Sequence, residues 1–139
     1  RIEEKDQRTN AGAKKVIRLL KNIKKDSSQD IKLTSYDIAA LIWHVQDEAL
    51  RKPYYLELSL VAETQKYLQF LVDNPFYAKS LDVPDQSRKI IDTPEKLTSL
   101  HQLKTEVDEL AVDLAREISP LFVTSRDLIQ KRLMEAQVY

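Results

Sequence analysis

The stretch TPEKLTSLHQLKTEVDELAVDLAREIS, Thr93 to Ser119, sets the fold class. Its start carries three helix-initiating devices in a row. Thr93 offers a hydroxyl cap, Pro94 suits a first position whose N–H has no partner anyway, and Glu95 puts negative charge in the first turn. Leu97, Leu100, Leu103, Val107, Leu110, Leu114 and Ile118 then recur every three or four residues. That spacing lines one face of a helix, so the segment reads as a long amphipathic helix to about Ser119. Pro120 interrupts it.

Working outward, the same pattern recurs. Val16, Leu19, Leu20 and Ile23 mark one face of a first helix, whose other faces are filled by lysines and Arg18. Asp26 to Asp30 reads as a turn through Ser27 and Ser28. Thr34 or Ser35 caps a second helix, and Asp37 fits the acidic variant of the capping box. Ile38, Leu41, Ile42, Val45 and Ala49 predict that this helix continues to near Lys52, because residues before Pro53 are pushed out of helical geometry. Pro53 suits the first turn of a third helix with a stripe at Leu56, Leu60, Val61, Leu68, Leu71 and Val72, ended by Asn74-Pro75. Residues 75–92 read as irregular, anchored by Ile90 and Ile91, with at most a short extended piece. Thr124 or Ser125 caps a last helix with Leu128, Ile129, Leu133 and Met134.

The expectation is therefore an all-α bundle of about five helices, with an irregular loop between the third and fourth. Residues 1–11 are a linker or the start of the first helix, 12–119 the main helical domain, and 120–139 a C-terminal helix. Composition agrees. Among 139 residues there is one glycine, Gly12, too few for the tight turns of a sheet protein. Apolar residues at 42% supply a core and charged residues at 32% keep the chain soluble, which argues against wholesale disorder. No apolar run is long enough to span a bilayer, and a cytoplasmic location is expected. The lack of cysteine excludes disulfides, thiolate zinc sites and cysteine nucleophiles. The chain starts at Arg1, without a methionine, which reads as a fragment of something longer.

Catalytic groups are harder to find. Asp82 and Asp85 lie in a proline-containing loop, and Glu106, Asp108, Glu109 and Asp113 on the long helix, where they read as a solvated face. Neither set resembles strand-borne carboxylates for two-metal phosphoryl transfer. His44 reads as a partly buried side chain bonded to backbone or water, and His101 is weaker still. No catalytic or metal-binding residue is assigned. Charge is uneven instead: residues 1–33 hold ten basic and five acidic side chains, although the whole chain is neutral. That surplus is either a solvated helix face or a patch for phosphates, with nucleic acid the less favoured partner. Lys21, Lys24 and Lys25 lie one turn apart, and Ser35 and the free N–H groups of the second helix start suit an anion. Tyr36 beside them can stack on a base. Lysine, hydroxyl and aromatic together make a nucleotide grip.

The run Val16-Ile17-Arg18-Leu19-Leu20-Lys21-Asn22-Ile23-Lys24, followed by Leu33-Thr34-Ser35-Tyr36-Asp37-Ile38, resembles the helical C-terminal half of nucleotidyltransferases of the oligoadenylate synthetase and cyclic GMP-AMP synthase type. The loop Leu81-Asp82-Val83-Pro84-Asp85 and the long helix after it fit the same layout, over most of residues 12–119. The resemblance implies that the lysine matching Lys21, with Lys24 as its rival, and the serine matching Ser35 hold a donor nucleoside triphosphate. It implies that the tyrosine matching Tyr36 stacks on the donor base. The metal-binding acids and their Mg2+ would belong to an N-terminal polymerase-β-like catalytic domain that this chain lacks. The competing reading is a stand-alone helical protein-interaction module, in which Lys21 is solvated, Ser35 only caps its helix and Tyr36 packs on the bundle surface.

Overall fold

The computed structural model describes residues 2–9, 11–51 and 57–118. Among them are seven helices: α1 Ile2–Arg8, α2 Gly12–Asp26, α3 Ser35–Trp43, α4 Asp47–Leu50, α5 Glu57–Asp73, α6 Pro75–Ser80 and α7 Pro94–Ile118. The described residues contain no strand, only an isolated antiparallel bridge between Asp82 and Lys89. The all-α expectation holds.

The long helix at Thr93–Ser119 is the spine. The Thr93 hydroxyl accepts the Lys96 N–H at 3.2 Å, as the capping pattern requires. Leu100, Leu103 and Val107 are fully buried, and Leu97, Leu110 and Leu114 are partly so. Full burial of one such leucine contributes about 1.5–3 kcal/mol. α5 packs along α7 in the opposite direction: Gln65 donates to Asp108 at 2.8 Å, and Val61 and Ala62 meet Ala111 and Ala115 further on. Small residues at this end let the two backbones approach closely. α2 lies across the same spine, with the Ser27 hydroxyl bonded to Glu106 at 2.8 Å and Leu19 near Leu110.

Three expectations need correction. The helix expected from Ser35 to near Lys52 stops at Trp43 and restarts as α4 at Asp47. Periodicity alone permits one helix, but tertiary bonds compete for the backbone between them. Gln46 is extended at φ −62°, ψ 137°. The Lys5 ammonium donates to the Val45 carbonyl and, at 2.7 Å, to Asp47. The loop 75–92 is not irregular throughout: Pro75 opens α6, the first-position use of proline. And seven described helices replace five, partly because residues within 1–11 form α1, packed on α2 and α3. Its Lys5, counted in the basic surplus, is 3% exposed and paired. The expected helix start at Pro53, the first stripe residue Leu56, the helix end at Ser119, the break at Pro120 and the helix beyond Thr124 lie outside the described residues.

Gly12 owes its identity to space rather than to a turn. A Cβ there would sit 2.0 Å from the Leu50 carbonyl oxygen and 2.9 Å from its carbon. The left-handed turn before α2 is carried instead by Ala11, at φ 67°. Gly12→Ala is expected to lower unfolding free energy by about 1–3 kcal/mol despite alanine's better helix propensity, as read by urea denaturation.

Asp47 accepts hydrogen bonds from Lys5 at 2.7 Å and Arg8 at 2.8 Å, which hold its carboxyl down to about 2. The folded state therefore binds fewer protons than the unfolded chain as the carboxylate range is crossed. This stabilisation is complete above the ordinary aspartate pKa near ~4 and is lost as pH falls through the folded value. Denaturation curves of the protein and of Asp47→Asn should converge as pH drops from about 5 towards 2.

Candidate functional site

The start of α3 is built by its neighbours. Thr34 is the cap, with its Oγ1 accepting the Asp37 N–H at 3.0 Å while Asp37 Oδ2 accepts the Thr34 N–H at 2.9 Å. This reciprocal box consumes two donors and leaves the N–H groups of Ser35 and Tyr36 in the first turn, where no intrahelical acceptor exists. The approach to the cap is fixed too. Ile31 and Leu33 are buried, and the Lys32 N–H donates to the buried Ser99 hydroxyl at 2.6 Å on α7.

Asp37 has a second set of partners. Fully buried, it accepts from Arg88 at 2.7 Å and pairs with Lys96 at 3.1 Å, while Asp92 pairs with Lys96 at 3.2 Å. Desolvation pushes the Asp37 carboxyl up. The Thr34 N–H, Arg88 and Lys96 outweigh it and hold the group below the usual range, so it is charged. One carboxylate thus joins the start of α3, the loop before α7 and the first turn of α7.

That loop is pinned at its other end by His44. The ring Nε2 lies 2.7 Å from the Asp82 carbonyl, which can only accept, so Nε2 carries the hydrogen. The structural reading of His44 is correct, and His101 is exposed. Within the loop, Val83 N–H donates to the Arg88 carbonyl and Ile90 N–H to the Leu81 carbonyl, at 3.0 and 2.9 Å. Arg88 emerges with its guanidinium carbon 5.9 Å from the centre of the Tyr36 ring.

The lysines of α2 flank this helix start. Gly12 at the start of α2 meets Leu50 of α4, and Lys21 lines a depression of about 290 Å³ with Ala39 of α3, Lys14, Arg18, Ile17 and Ile2. Ser35 lies one turn before Ala39 on the same face of α3, and Lys24 lies one turn after Lys21 on α2. Lys14 is engaged by Glu3 at 2.9 Å, whereas Arg18, Lys21, Lys24 and Lys25 have no anionic partner among the described residues. Ser35 is exposed and Tyr36 is 47% exposed. Of the four residues singled out in the sequence, Lys21 lies beside Ala39 of α3, and Ser35 and Tyr36 form the exposed first turn of that helix. The Asp37–Arg88–Lys96 cluster beneath them was missed, since its partners lie far apart in sequence. The acid at the third helical position was its only local trace.

The described residues do not fit a magnesium ion. Among the described residues no three His, Asp or Glu side chains converge. Glu106 is bonded to Ser27, Asp108 to Lys104 and Gln65, and Asp82 to Lys89. The solvated-face reading holds for Glu109 and Asp113, which are exposed, but Glu106 and Asp108 are partly buried tethers. Among the described residues no helix is long and apolar enough to cross a membrane.

Comparison with known proteins places this helical arrangement among nucleotidyltransferases. The chain belongs to the cGAS/DncV-like nucleotidyltransferase C-terminal helical domain family, whose model matches residues 1–112. It is 40% identical over 122 residues to the cyclic dinucleotide synthase CdnE of Yersinia aleksiciae, which covers 86% of this chain and 32% of that protein. A shorter match, 44% over 45 residues, is to a c-di-GMP synthase of Lachnospiraceae bacterium (strain RUG226), covering 32% of this chain and 13% of that protein. Among solved structures, the STING-associated CdnE c-di-GMP synthase from Capnocytophaga granulosa superposes with a TM-score of 0.74 at 30% identity, over 82% of this chain and 37% of that one. The chain thus spans about a third of the length of the first of these relatives and of the solved one. The family match favours part of a nucleotidyltransferase over a stand-alone interaction module.

Removing the Asp37 carboxylate leaves two cations and a helix start without their shared acceptor. Asp37→Ala is expected to cost about 3 kcal/mol or more, since a buried ion pair is broken from one side and a cap is lost. Guanidinium denaturation gives the value. A loss under about 1 kcal/mol, the level of an exposed pair, would show the cluster to be peripheral.

Proposed function

We propose that this domain forms the wall of a nucleotidyltransferase cleft that holds the donor nucleoside triphosphate. Lys21 and Lys24 neutralise the phosphates, Ser35 and the first-turn N–H groups of α3 bind phosphate oxygens, and Tyr36 stacks on the base. The observation that supports the reading is Lys21 beside α3 at Ala39, without an anionic partner among the described residues, on a helix whose exposed start presents a half-exposed tyrosine. Positive charge, a helix dipole and directed donors act together on an anion there. A flat π face beside them takes the base.

The metal-binding carboxylates and Mg2+ belong, on this reading, to a catalytic domain that faces this helix start, because no cluster of acids suited to a metal ion forms among the described residues. Two of the relatives are called c-di-GMP synthases. Guanosine triphosphate is therefore the donor we assign, with a cyclic dinucleotide as the product of the whole enzyme.

Calorimetric titration of the full-length protein with a non-hydrolysable GTP analogue and Mg2+ tests this. Tyr36→Ala is expected to weaken binding roughly 5- to 150-fold, the worth of one base stack. Lys21→Ala and Lys24→Ala should weaken it and flatten its salt dependence, and the larger effect names the principal lysine. Unchanged affinity in Tyr36→Ala and in both lysine variants sinks the assignment.

A further inference from the structure

We infer that Arg88 is the positioning residue for the Tyr36 ring. The inference rests on the nucleotide-holding reading of that helix start. An exposed tyrosine near a helix start ordinarily samples several rotamers, and a mobile ring is a poor platform because ordering it opposes binding. Tyr36 is half exposed, yet a guanidinium lies 5.9 Å from its ring centre. That guanidinium is held by the protein rather than by solvent. One terminal nitrogen donates to Asp37 Oδ1 at 2.7 Å and the other to the Lys89 carbonyl at 3.0 Å, with Asp92 at 3.9 Å.

These bonds decide what Arg88 does. Its terminal nitrogens are engaged by buried and backbone acceptors, so it serves the ring and is not a base-reading donor. Its plane is fixed from beneath by Asp37, which Lys96 and the α3 cap hold in turn. The cation takes one side of the ring and leaves the opposite face for a base. Lysine at this position would keep the charge for Asp37 but lose the flat surface and the forked bonds. The loop 81–90 thus reaches the nucleotide through Tyr36 without touching it.

The test uses the full-length protein labelled with fluorotyrosine, with the Tyr36 fluorine resonance assigned by its loss in Tyr36→Phe. Without nucleotide, Arg88→Ala and Arg88→Lys should each shift and narrow that resonance, and Arg88→Lys should melt close to the parent protein. Affinity for the GTP analogue is then measured as a double-mutant cycle. Arg88→Lys, and Arg88→Ala where it folds, should weaken binding about 2- to 5-fold with Tyr36 present and leave it unchanged in the Tyr36→Ala background. A Tyr36 resonance that Arg88→Lys does not move overturns the inference, whatever the nucleotide does. So does an equal loss of affinity in both backgrounds, which marks a general structural effect. A resonance that moves while Tyr36→Ala binds GTP normally removes the nucleotide reading and this role with it.

Discussion

A single buried carboxylate, Asp37, is the constraint on which the candidate site depends. Its charge is tolerable only because donors surround it: the Thr34 N–H, the Arg88 guanidinium and the Lys96 ammonium. Each donor belongs to a different stretch of chain. The carboxylate therefore sets the relative placement of a helix start, a loop and a second helix start. Both Asp37 oxygens are engaged in a low-dielectric setting, where a missing partner is costly and a complete set is specific.

A second ionic tether acts at the opposite end of α3. Lys5 and Arg8 from α1 converge on Asp47, and Lys5 also takes the Val45 carbonyl. The arrangement ends one helix and begins another where the apolar pattern alone would run straight through. α3 is thereby kept to nine residues, with its start and its far end each fixed by a buried or half-buried ion pair. The basic residues of the N-terminal third divide accordingly. Lys5 is structural, Lys14 is engaged by Glu3, Arg18, Lys21 and Lys25 are exposed, and Lys24 is half-buried.

Much of this was legible from local chemistry. The step pattern from Leu97 to Leu114, the Thr93-Pro94-Glu95 start and the Thr34–Asp37 box all act within a few residues, and each stands in the structure as read. For the candidate site, local chemistry reached the elements alone: the cap places Ser35 and Tyr36 at a helix start, and helical spacing places Lys21 and Lys24 one turn apart. What stayed hidden depends on partners distant in sequence. Nothing near Val45 signals that Lys5 will claim its carbonyl, and nothing near Asp37 names Arg88, 51 residues away. Gly12 is similar, since its reason lies at Leu50. Buried ionic contacts and close backbone approaches are tertiary facts with no period to reveal them.

The spine helix α7 joins both ends of the molecule in one rod. Lys96 in its first turn holds Asp37, and Ala115 near its last turn packs on α5. At 1.5 Å per residue these positions are about 28 Å apart. Between them Ser99 accepts the Lys32 N–H, Glu106 accepts the Ser27 hydroxyl and Asp108 accepts the Gln65 amide. The rod is therefore anchored along its whole length, and the carboxylate at the candidate site is held by a helix that the rest of the bundle keeps in place.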